Sequence, residues 1–351
     1  MTLSEFYAGR RVLVTGHTGF KGAWMMHLLK SMGARVTGYA LVPPTAPNLF
    51  EDARIDDGMD SVTGDIRDRK HLEAVFDGAE PEIVFHLAAQ PLVRDSYKSP
   101  AYTYETNVMG TVNVLECIRR NDCVRSFVNV TTDKVYKNYE LPRGYTEQDE
   151  LCGFDPYSNS KSCSELVTYS YKNAFFSDGR VAVSTVRAGN VIGGGDYARD
   201  RIIPDCIRAA EKGQPILVRN PHSVRPYQHV LEPLFAYLLV AQRQYENGAL
   251  ADCYNVGPAM EDIIETGDLT SCFCQAWGDG ASWVARPDGG PHETNILRLD
   301  CRKIADTLGW VPRWNVRQAV QKTVEWEKAK LAGIDVRTIM DQQMEEYQNL
   351  L

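Results

Sequence analysis

Two polar stretches of this sequence carry the side chains best suited to acid–base chemistry, and the first is Tyr157 with Lys161. The two residues are four positions apart, a spacing that places them on the same face of a helix. Because an ammonium group beside a phenol favours the phenolate, Lys161 is expected to lower the pKa of Tyr157. Such a tyrosine can take the proton of an alcohol while a hydride leaves the same carbon. The pair therefore predicts an oxidation, provided that a nucleotide-binding fold surrounds it.

The second polar stretch, Thr132-Asp133-Lys134, precedes this pair by some 25 positions. The residues before it, Ser126 to Thr131, are mostly β-forming and predict a buried strand that ends at Thr132. Ligands of open parallel sheets bind outside the carboxyl ends of the strands. An exposed turn would also accept such residues, but beside Tyr157 a carboxyl group and an amine could serve as an acid and a base.

A glycine-rich segment near the N-terminus predicts a dinucleotide-binding turn. Arg11 to Thr15 has the composition of a strand, Ala23 to Met32 that of a helix, and the turn between them has the spacing Gly-x-x-Gly-x-x-Gly. Glycines allow a tight turn and a close approach to a pyrophosphate, to which the helix N-terminus offers N–H groups. The residues expected to contact the cofactor here are Gly16, His17, Thr18, Gly19, Phe20, Lys21 and Gly22.

The second predicted strand, Ala34 to Leu41, leaves the choice between NAD and NADP open. An NAD-binding unit usually has an acidic residue at the end of this strand, where it holds the ribose 2′-hydroxyl. Tyr39-Ala40-Leu41 stands there instead. His17 and Lys21 could approach a 2′-phosphate, so NAD is the expected cofactor and NADP is not excluded.

Two further strand ends are predicted to contact the cofactor. Asp65 follows a short strand and could accept a hydrogen bond from the adenine amino group, with Ile66 against the ring face. The next apolar strand ends in residues small enough to let the nicotinamide half pass, which are Leu87, Ala88 and Ala89.

The alternation of strands and helices over the first ~190 residues predicts a doubly wound sheet. We therefore expect an α/β fold, with a Rossmann-type doubly wound parallel sheet and a smaller C-terminal α/β substrate-binding region. The dinucleotide-binding domain is predicted at 1–187 together with parts of about 222–250. The substrate-binding region is predicted at about 188–221 and 251–351.

The composition of the chain argues against some classes of binding partner. The 351 residues are 44% hydrophobic and 24% charged, as in a soluble enzyme, and the net charge of -8 offers no footprint for nucleic acid or an anionic membrane. The apolar runs are far too short to span a membrane, and Met1 to Arg11 lacks the apolar core of a signal peptide. The nine cysteines are scattered without a Cys-x-x-Cys motif, so we expect reduced thiols in the cytoplasm and no metal site.

An acidic protein must hold an anionic ligand with a local cluster of donors. Beyond residue 187 the sequence contains Asn190, Arg201, Arg219 and Arg225 in a region rich in Gly and Pro. If these side chains converge on a cleft they would suit a diphosphate, because the guanidinium group offers fork-like donors. Each arginine could equally be a solvated surface charge.

Taken together, these motifs resemble the extended short-chain dehydrogenase/reductases. The resemblance is carried by Thr15-Gly16-x-x-Gly19-x-x-Gly22, Asp65-Ile66, Leu87-Ala88-Ala89, Asn107-Val108-x-Gly110-Thr111 and Tyr157-x-x-x-Lys161. Within that family the chain is similar to the CDP-D-glucose 4,6-dehydratases along nearly its whole length. The matching segments are 16–22, 89–94, 132–134, 155–161, 187–196, 225–233 and 308–310.

The resemblance implies a lyase that works through oxidoreductase steps. Tyr157 would take the 4-hydroxyl proton of CDP-D-glucose beside Thr132, Lys134 would remove the C5 proton, and Asp133 would protonate the departing 6-hydroxyl. Hydride return to C6 would give CDP-4-dehydro-6-deoxy-D-glucose, for deoxy- or dideoxy-sugars of O-antigen or lipopolysaccharide. Other sugar-nucleotide dehydratases have Glu where Lys134 stands, whereas Lys matches the CDP-glucose group and must act as the neutral amine.

The resemblance also implies the ligands and the assembly. Asn190, Arg201, Arg219 and Arg225 would contact the diphosphate and base of a nucleotide sugar, and Gln90 and Arg94 its sugar. A homodimer or higher oligomer would form by packing the helices at 101–120 and 156–175 into a four-helix bundle. Two alternatives remain. The first is another 4,6-dehydratase or a 4-epimerase of the same fold, although an epimerase has no use for Asp133-Lys134. The second is a non-catalytic NAD(P)-sensing module, which would be expected to lose Tyr157 or Lys161.

Overall fold

A computed structural model describes residues 1–287 and 295–351. Its strands, in chain order, are β1 (Arg11–Thr15), β2 (Arg35–Ala40), β3 (Asp60–Thr63), β4 (Ile83–His86), β5 (Ser126–Val130), β6 (Ala182–Ala188), β7 (Val191–Ile192), β8 (Ile216–Val218), β9 (Val224–Arg225), β10 (Gln228–His229), β11 (Cys253–Val256), β12 (Ile264–Glu265) and β13 (Trp283–Ala285). Its α-helices are α1 (Leu3–Tyr7), α2 (Phe20–Ser31), α3 (Leu49–Asp52), α4 (Arg69–Ala79), α5 (Val93–Lys98), α6 (Pro100–Tyr104), α7 (Gly110–Arg120), α8 (Pro156–Phe175), α9 (Ile202–Glu211), α10 (Leu231–Glu246), α11 (Thr266–Trp277), α12 (Arg302–Leu308), α13 (Val316–Leu331) and α14 (Val336–Gln348).

A parallel sheet in the order β11-β6-β5-β4-β1-β2-β3 forms the centre of the molecule. The chain order reverses between β4 and β1, where Thr15 pairs with His86. In doubly wound sheets the crevice beyond such a reversal is the place where a dinucleotide binds. The predicted Rossmann-type fold is confirmed.

The sheet is apolar on both faces because helices cover both. Along β1, Val12 and Val14 belong to a core shared with α2, α10, α13 and α14, whereas Leu13 points to a second core formed with α4 and α7. Alternate residues of a strand point to opposite faces, so a strand buried on both sides is a continuous apolar run. This explains why strands such as β1 and β4 could be recognised in the sequence.

A second lobe, formed by α9, α11, α13 and the short strands β8, β9, β12 and β13, has a core of its own. The predicted domain limits need one correction, because Cys253–Val256 pairs with β6 as an outer strand of the main sheet. The boundary expected near residue 251 therefore falls too early. In addition, α14 packs into the main core through Met340 and Met344, and no C-terminal helix was predicted there.

The helix predicted over 101–120 is interrupted by a π-helical turn, Glu105–Met109, between α6 and α7. Asn107 lies in this turn, where its Oδ1 accepts from the Gln90 N–H at 2.8 Å and its Nδ2 donates to Ser160 Oγ at 2.9 Å. The turn thus joins the loop after β4 to α8. Among the residues described, no helix combines the length and apolar character needed to cross a membrane.

The loop between β7 and α9 connects the two lobes. Gly194 in this loop accepts a hydrogen bond from Trp24 Nε1 at 3.1 Å. It also lies against Trp326 of α13 so closely that a Cβ atom there would stand 2.0 Å from the indole ring. Only glycine fits at this contact, which holds the loop between α2 and α13.

Candidate active site

A cavity of about 330 Å³ opens at the carboxyl edge of the sheet, between the sheet and the second lobe. Most of the residues predicted to perform chemistry or bind substrate line it, although they come from widely separated parts of the chain. They are Lys21, Arg94, Thr132, Lys134, Tyr157, Asn190, Arg201, Arg219 and Arg225. The arginines thus converge on one cleft, as required for an anionic ligand in an acidic protein.

Thr132, Asp133 and Lys134 follow β5 and begin a single 3₁₀ turn. Asp133 Oδ1 accepts from Thr132 Oγ1 at 2.9 Å and from Lys134 Nζ at 3.3 Å. The other carboxylate oxygen, Oδ2, is buried and has no hydrogen-bond partner among the described residues. Because buried polar atoms are normally paired, this oxygen has the capacity to bind a substrate hydroxyl.

Lys134 has a second contact that the sequence did not suggest. Its ammonium group donates to Asn190 Oδ1 at 3.3 Å, and its side chain is 30% exposed, in contrast to the 1% of Asp133. Asn190 was predicted to contact the diphosphate or the base. In the structure its side chain instead points to Lys134, so it helps to place that amine in the cavity.

Tyr157 lies in the first turn of α8, which Asp155 caps by accepting from the Ser158 N–H at 2.9 Å. Burial raises the pKa of Tyr157 to about 12, and a hydrogen bond with Thr132 and the positive charge of Arg201 oppose this rise. The structure does not show the expected contact by which Lys161 would lower the pKa of Tyr157. The Lys161 ammonium donates instead to the Val130 carbonyl at 3.0 Å.

Lys161 is supported by a buried carboxylate one helical turn further along α8. Burial lowers the pKa of Lys161 to about 8, and the negative charge of Glu165 opposes that shift. Glu165 in turn accepts from Thr131, Thr185 and Arg187, at 2.5, 2.6 and 2.9 Å. This network fixes α8 against β5 and β6 directly behind the cavity.

The glycine-rich turn has the geometry that a pyrophosphate requires. Gly16 has φ +80°, and a Cβ atom there would lie 2.7 Å from the Ala88 nitrogen. A Cβ atom on Gly22 would lie 2.1 Å from the Gly16 carbonyl oxygen. Helix α2 begins after Gly19 without a side-chain cap, and its N-terminal N–H groups are the donors that bind a phosphate in this fold. Thr18 and Phe20 complete the turn, so the residues present fit a dinucleotide.

His17 and Lys21 do not stand where a 2′-phosphate would bind, and that part of the prediction is wrong. The His17 ring is fully buried beside Gly38 and bonds through Nε2 to Ser61 Oγ at 2.8 Å. Burial lowers the pKa of His17 to about 4. Lys21 lines the catalytic cavity, where burial and the charges of Arg201 and Lys161 lower its pKa to about 7.

Of the two residues predicted at the adenine end, Asp65 lines a second pocket with Glu105, Met109 and Asn113. The Asp65 carboxylate is bound by Arg67, whose Nη2 lies 2.7 Å away and whose pairing lowers the pKa of Asp65. Ile66 is buried under Gly110. At the nicotinamide end, the loop Leu87-Ala88-Ala89 is held by Thr15, which bonds to the N–H groups of the first two residues at 3.1 and 3.2 Å.

The predicted substrate residues differ in what their side chains contact. Gln90 bonds to Leu92 in its own loop and to Thr103 of α6, so the structure does not support its predicted contact with the sugar. Arg225 is buried in the wall of the cavity, and its Nη1 donates to the Val224 and Asn295 carbonyls.

Two acidic residues of the cavity were missed by sequence analysis. Asp196 accepts from Arg201 at 3.1 Å, and Asp200 accepts from Arg219 at 2.6 Å. Both lie in the loop that links the lobes. Asp200 and Arg201 are adjacent in the sequence, but the sequence does not show that Asp200 pairs with Arg219 and Arg201 with Asp196.

The chain is similar in sequence to known proteins along most of its length. The sequence model described as GDP-mannose 4,6 dehydratase matches residues 13–323. A CDP-glucose 4,6-dehydratase of Salmonella typhimurium is 48% identical over 349 residues, which cover 98% of this chain and 97% of that protein. A dTDP-glucose 4,6-dehydratase of Streptomyces antibioticus is 30% identical over 321 residues, covering 90% of this chain and 91% of that protein.

Solved structures show the same fold at lower sequence identity. A dTDP-glucose 4,6-dehydratase of Bacillus anthracis in complex with NAD has a TM-score of 0.76 at 23% identity, covering 91% of this chain and 97% of that one. A UDP-glucose 4-epimerase of Thermotoga maritima with UDP-glucose has a TM-score of 0.80 at 22% identity, covering 91% and 99%. Because the family match and the 48% identity both extend along most of the sequence, this chain belongs to the GDP-mannose 4,6 dehydratase family of the extended short-chain dehydrogenase/reductases.

Proposed function

We propose that this protein is an NAD-dependent hydro-lyase that converts CDP-D-glucose to CDP-4-dehydro-6-deoxy-D-glucose. The observation that carries the proposal is the position of Lys134, which lines the same cavity as Tyr157 and bonds to the buried Asp133 at 3.3 Å. An epimerase needs the tyrosine but has no step for a neighbouring acid–base pair. The choice of CDP rests on the CDP-glucose 4,6-dehydratase that is 48% identical to this chain.

The first step is oxidation at C4 of the sugar. When bound, NAD takes up the hydride from C4 and later returns it to C6. Tyr157 removes the 4-hydroxyl proton, and Thr132 holds the same oxygen by a hydrogen bond. Because the pKa of Tyr157 is about 12 in this structure, its deprotonation depends on Thr132, on Arg201 and on the positive charge of the cofactor.

The second step is the loss of water across C5 and C6. The C4 ketone acidifies the C5–H bond, so the neutral amine of Lys134 can remove that proton. The protonated carboxyl group of Asp133 gives its proton to the 6-oxygen, which leaves as water. When the hydride returns to C6, the ammonium of Lys134 returns its proton to C5. The proton gained by Tyr157 balances the one lost by Asp133, and the sum of the steps is the release of one water molecule.

The residues of the second lobe would hold the nucleotide half of the substrate. Arg219 and Arg225 are the proposed donors to the diphosphate, and Arg201, whose charge acts on Tyr157, lines the same cavity. Arg94 approaches the same space from the sheet side. The proposed product would supply deoxy- or dideoxy-sugar biosynthesis for O-antigen or lipopolysaccharide, and the proposed location of the enzyme is the cytoplasm.

The direct test is turnover with a panel of nucleotide sugars. The protein is incubated with NAD and with CDP-, dTDP-, UDP- or GDP-linked glucose, and the alkaline absorbance of a 4-keto-6-deoxy product is followed. Product from CDP-glucose alone supports the specific proposal, whereas product from another sugar supports a 4,6-dehydratase of different base preference. Formation of the C4 epimer without the keto product would identify an epimerase, and cofactor binding without any product would identify a sensing module.

We also propose a homodimer, because α8 and the π-helical turn before α7 leave large apolar side chains on the surface. Leu166, Tyr169 and Phe175 of α8 are 54, 69 and 48% exposed, and Met109 of the π-helical turn is 51% exposed. Packing these helices against a second copy would bury them in a four-helix bundle. Light scattering after gel filtration should give a mass twice that of the 39.4 kDa chain. The Leu166→Glu variant should give the mass of a single chain.

A further inference from the structure

Asp200 is an acidic residue placed among the arginines of the cavity. Its Oδ1 atom accepts from Arg219 Nη1 at 2.6 Å and lies 3.9 Å from Arg94 Nε. Its backbone carbonyl also accepts from Arg219 Nη2 at 3.3 Å. Arg94 belongs to α5 on the sheet side, whereas Arg219 follows β8 in the second lobe. One carboxylate therefore contacts arginines from both sides of the cavity.

The contact between Asp200 and Arg219 has the chemistry of a phosphate contact. A guanidinium group offers its N–H donors to a carboxylate and to a phosphate in the same way. A nucleoside diphosphate that enters this cavity would therefore meet arginines whose donors face an internal anion. It must displace that anion or share the donors with it.

Two observations indicate that the carboxylate is easily displaced. Asp200 is 46% exposed, and ion pairs at this exposure contribute little to stability. Its backbone has φ +61°, in the left-handed region that is unfavourable for residues other than glycine, although Asp tolerates it better than most. Release of the side chain would thus cost little and would allow the backbone to relax.

We infer that Asp200 is an internal substitute for the diphosphate of the nucleotide sugar, and that substrate binding displaces its carboxylate from Arg219 and Arg94. This inference deepens the proposed function and rests on it for the class of ligand. In the displaced state the Asp200 side chain turns to solvent and the arginines bind the phosphate oxygens. Asp200 therefore lowers the affinity of the cavity for nucleotides and keeps its arginines ordered between turnovers.

Asp200→Asn tests the inference, because it removes the charge, keeps the size and tolerates a positive φ. Calorimetry would measure CDP binding to the full chain in excess NAD at low salt. We expect the Kd for CDP to fall by about fivefold in D200N, as the loss of a competing ion pair of this strength implies. The matched control is Asp122→Asn, which makes the same change of net charge at a residue that is 97% exposed and 3.8 Å from Arg180.

Unchanged or weaker CDP binding by D200N would overturn the inference, and weaker binding would make Asp200 a direct contact of the nucleotide. Inorganic pyrophosphate serves as a second probe because it carries no base. The Kd for pyrophosphate should also be lower for D200N than for the unaltered protein, whichever nucleotide the enzyme uses. Failure of the unaltered protein to dehydrate CDP-glucose would count against the proposed function alone.

Discussion

Lys134 Nζ lies 3.3 Å from Asp133 Oδ1, and the two groups form an ion pair at the edge of the cavity. Elimination of water needs the same two groups in their neutral forms, which differ from the ion pair by one proton moved from nitrogen to oxygen. Asp133 is buried, whereas Lys134 is partly exposed to the cavity.

Lys134→Ala should abolish dehydration while leaving partial hydride transfer, because the amine acts only after C4 is oxidised. We expect product formation to fall by about 10²–10⁴-fold, as for the loss of a general base. Stopped-flow absorbance of the reduced cofactor should still appear in a single turnover. Lys137→Ala, at an exposed lysine three residues away, is the control. Elimination at the unaltered rate would show that Lys134 is not the base.

Tyr157→Phe should remove the oxidation step itself. The variant keeps the ring in place and loses only the hydroxyl, so cofactor binding should persist while transient reduced cofactor disappears from a single turnover with CDP-glucose. Tyr139→Phe, at an exposed tyrosine, should leave the transient unchanged. If the absorbance persists in Tyr157→Phe, another group takes the 4-hydroxyl proton.

Glu165→Gln should destabilise the fold, because Arg187 would then be buried without its counter-ion. The two side chains are only 3 and 4% exposed, and breaking such a pair typically costs about 3–5 kcal/mol. Urea denaturation would measure the loss. The exposed pair of Lys98 and Asp95 provides the contrast, since Lys98→Ala should cost less than about 1 kcal/mol. Equal costs for the two substitutions would contradict the assignment.

The stability of the protein should depend on pH through Glu232. Burial raises the pKa of this carboxyl group from 4.5 to about 7, although the Trp314 and Arg313 N–H groups and the Tyr347 hydroxyl donate to it. The folded state therefore binds the proton more tightly than the unfolded state. The tighter binding of this proton stabilises the fold. The contribution is fully present below pH 4.5 and is lost as the pH rises through about 7.

Glu232→Gln does not titrate, so its stability relative to the unaltered protein should improve as the pH rises. From below pH 4.5 to above pH 7 the difference in unfolding free energy should shift by about 3 kcal/mol in favour of the variant. Glu327, whose pKa burial also raises to about 7, titrates in both proteins and cancels. A difference that stays constant with pH would show that the pKa of Glu232 is the same in the folded and unfolded states.

The parts of the site that the sequence predicts are those determined by local structure. β5 is buried on both faces and is mostly composed of β-forming residues, so its end is recognisable from the polar residues Thr131 to Lys134 that follow it. Gly16 and Gly22 are determined in the same way, since any side chain there would overlap backbone atoms nearby. Strand β11 could not be recognised, because its four residues are too few for a clear pattern and its place depends on pairing with β6.

The partners of the polar side chains could not be predicted, since they lie far away along the chain. Lys161 donates to Val130 rather than to the phenol of Tyr157, and the cation that acts on the phenol is Arg201. His17 follows a glycine in the cofactor turn, yet its ring fills the space beside Gly38. Such choices depend on the packing of complete elements, which residue spacing alone does not determine.

The contact of Gly194 with Trp326 has a consequence for the order in which the protein matures. The loop that carries Asp200 and Arg201 packs against α13, which comes later in the chain. Six of the seven sheet strands and the cofactor turn precede that loop in the chain, and domains generally begin to fold from the N-terminus during synthesis. A growing chain therefore acquires the parts that hold the cofactor before the parts that hold the sugar nucleotide.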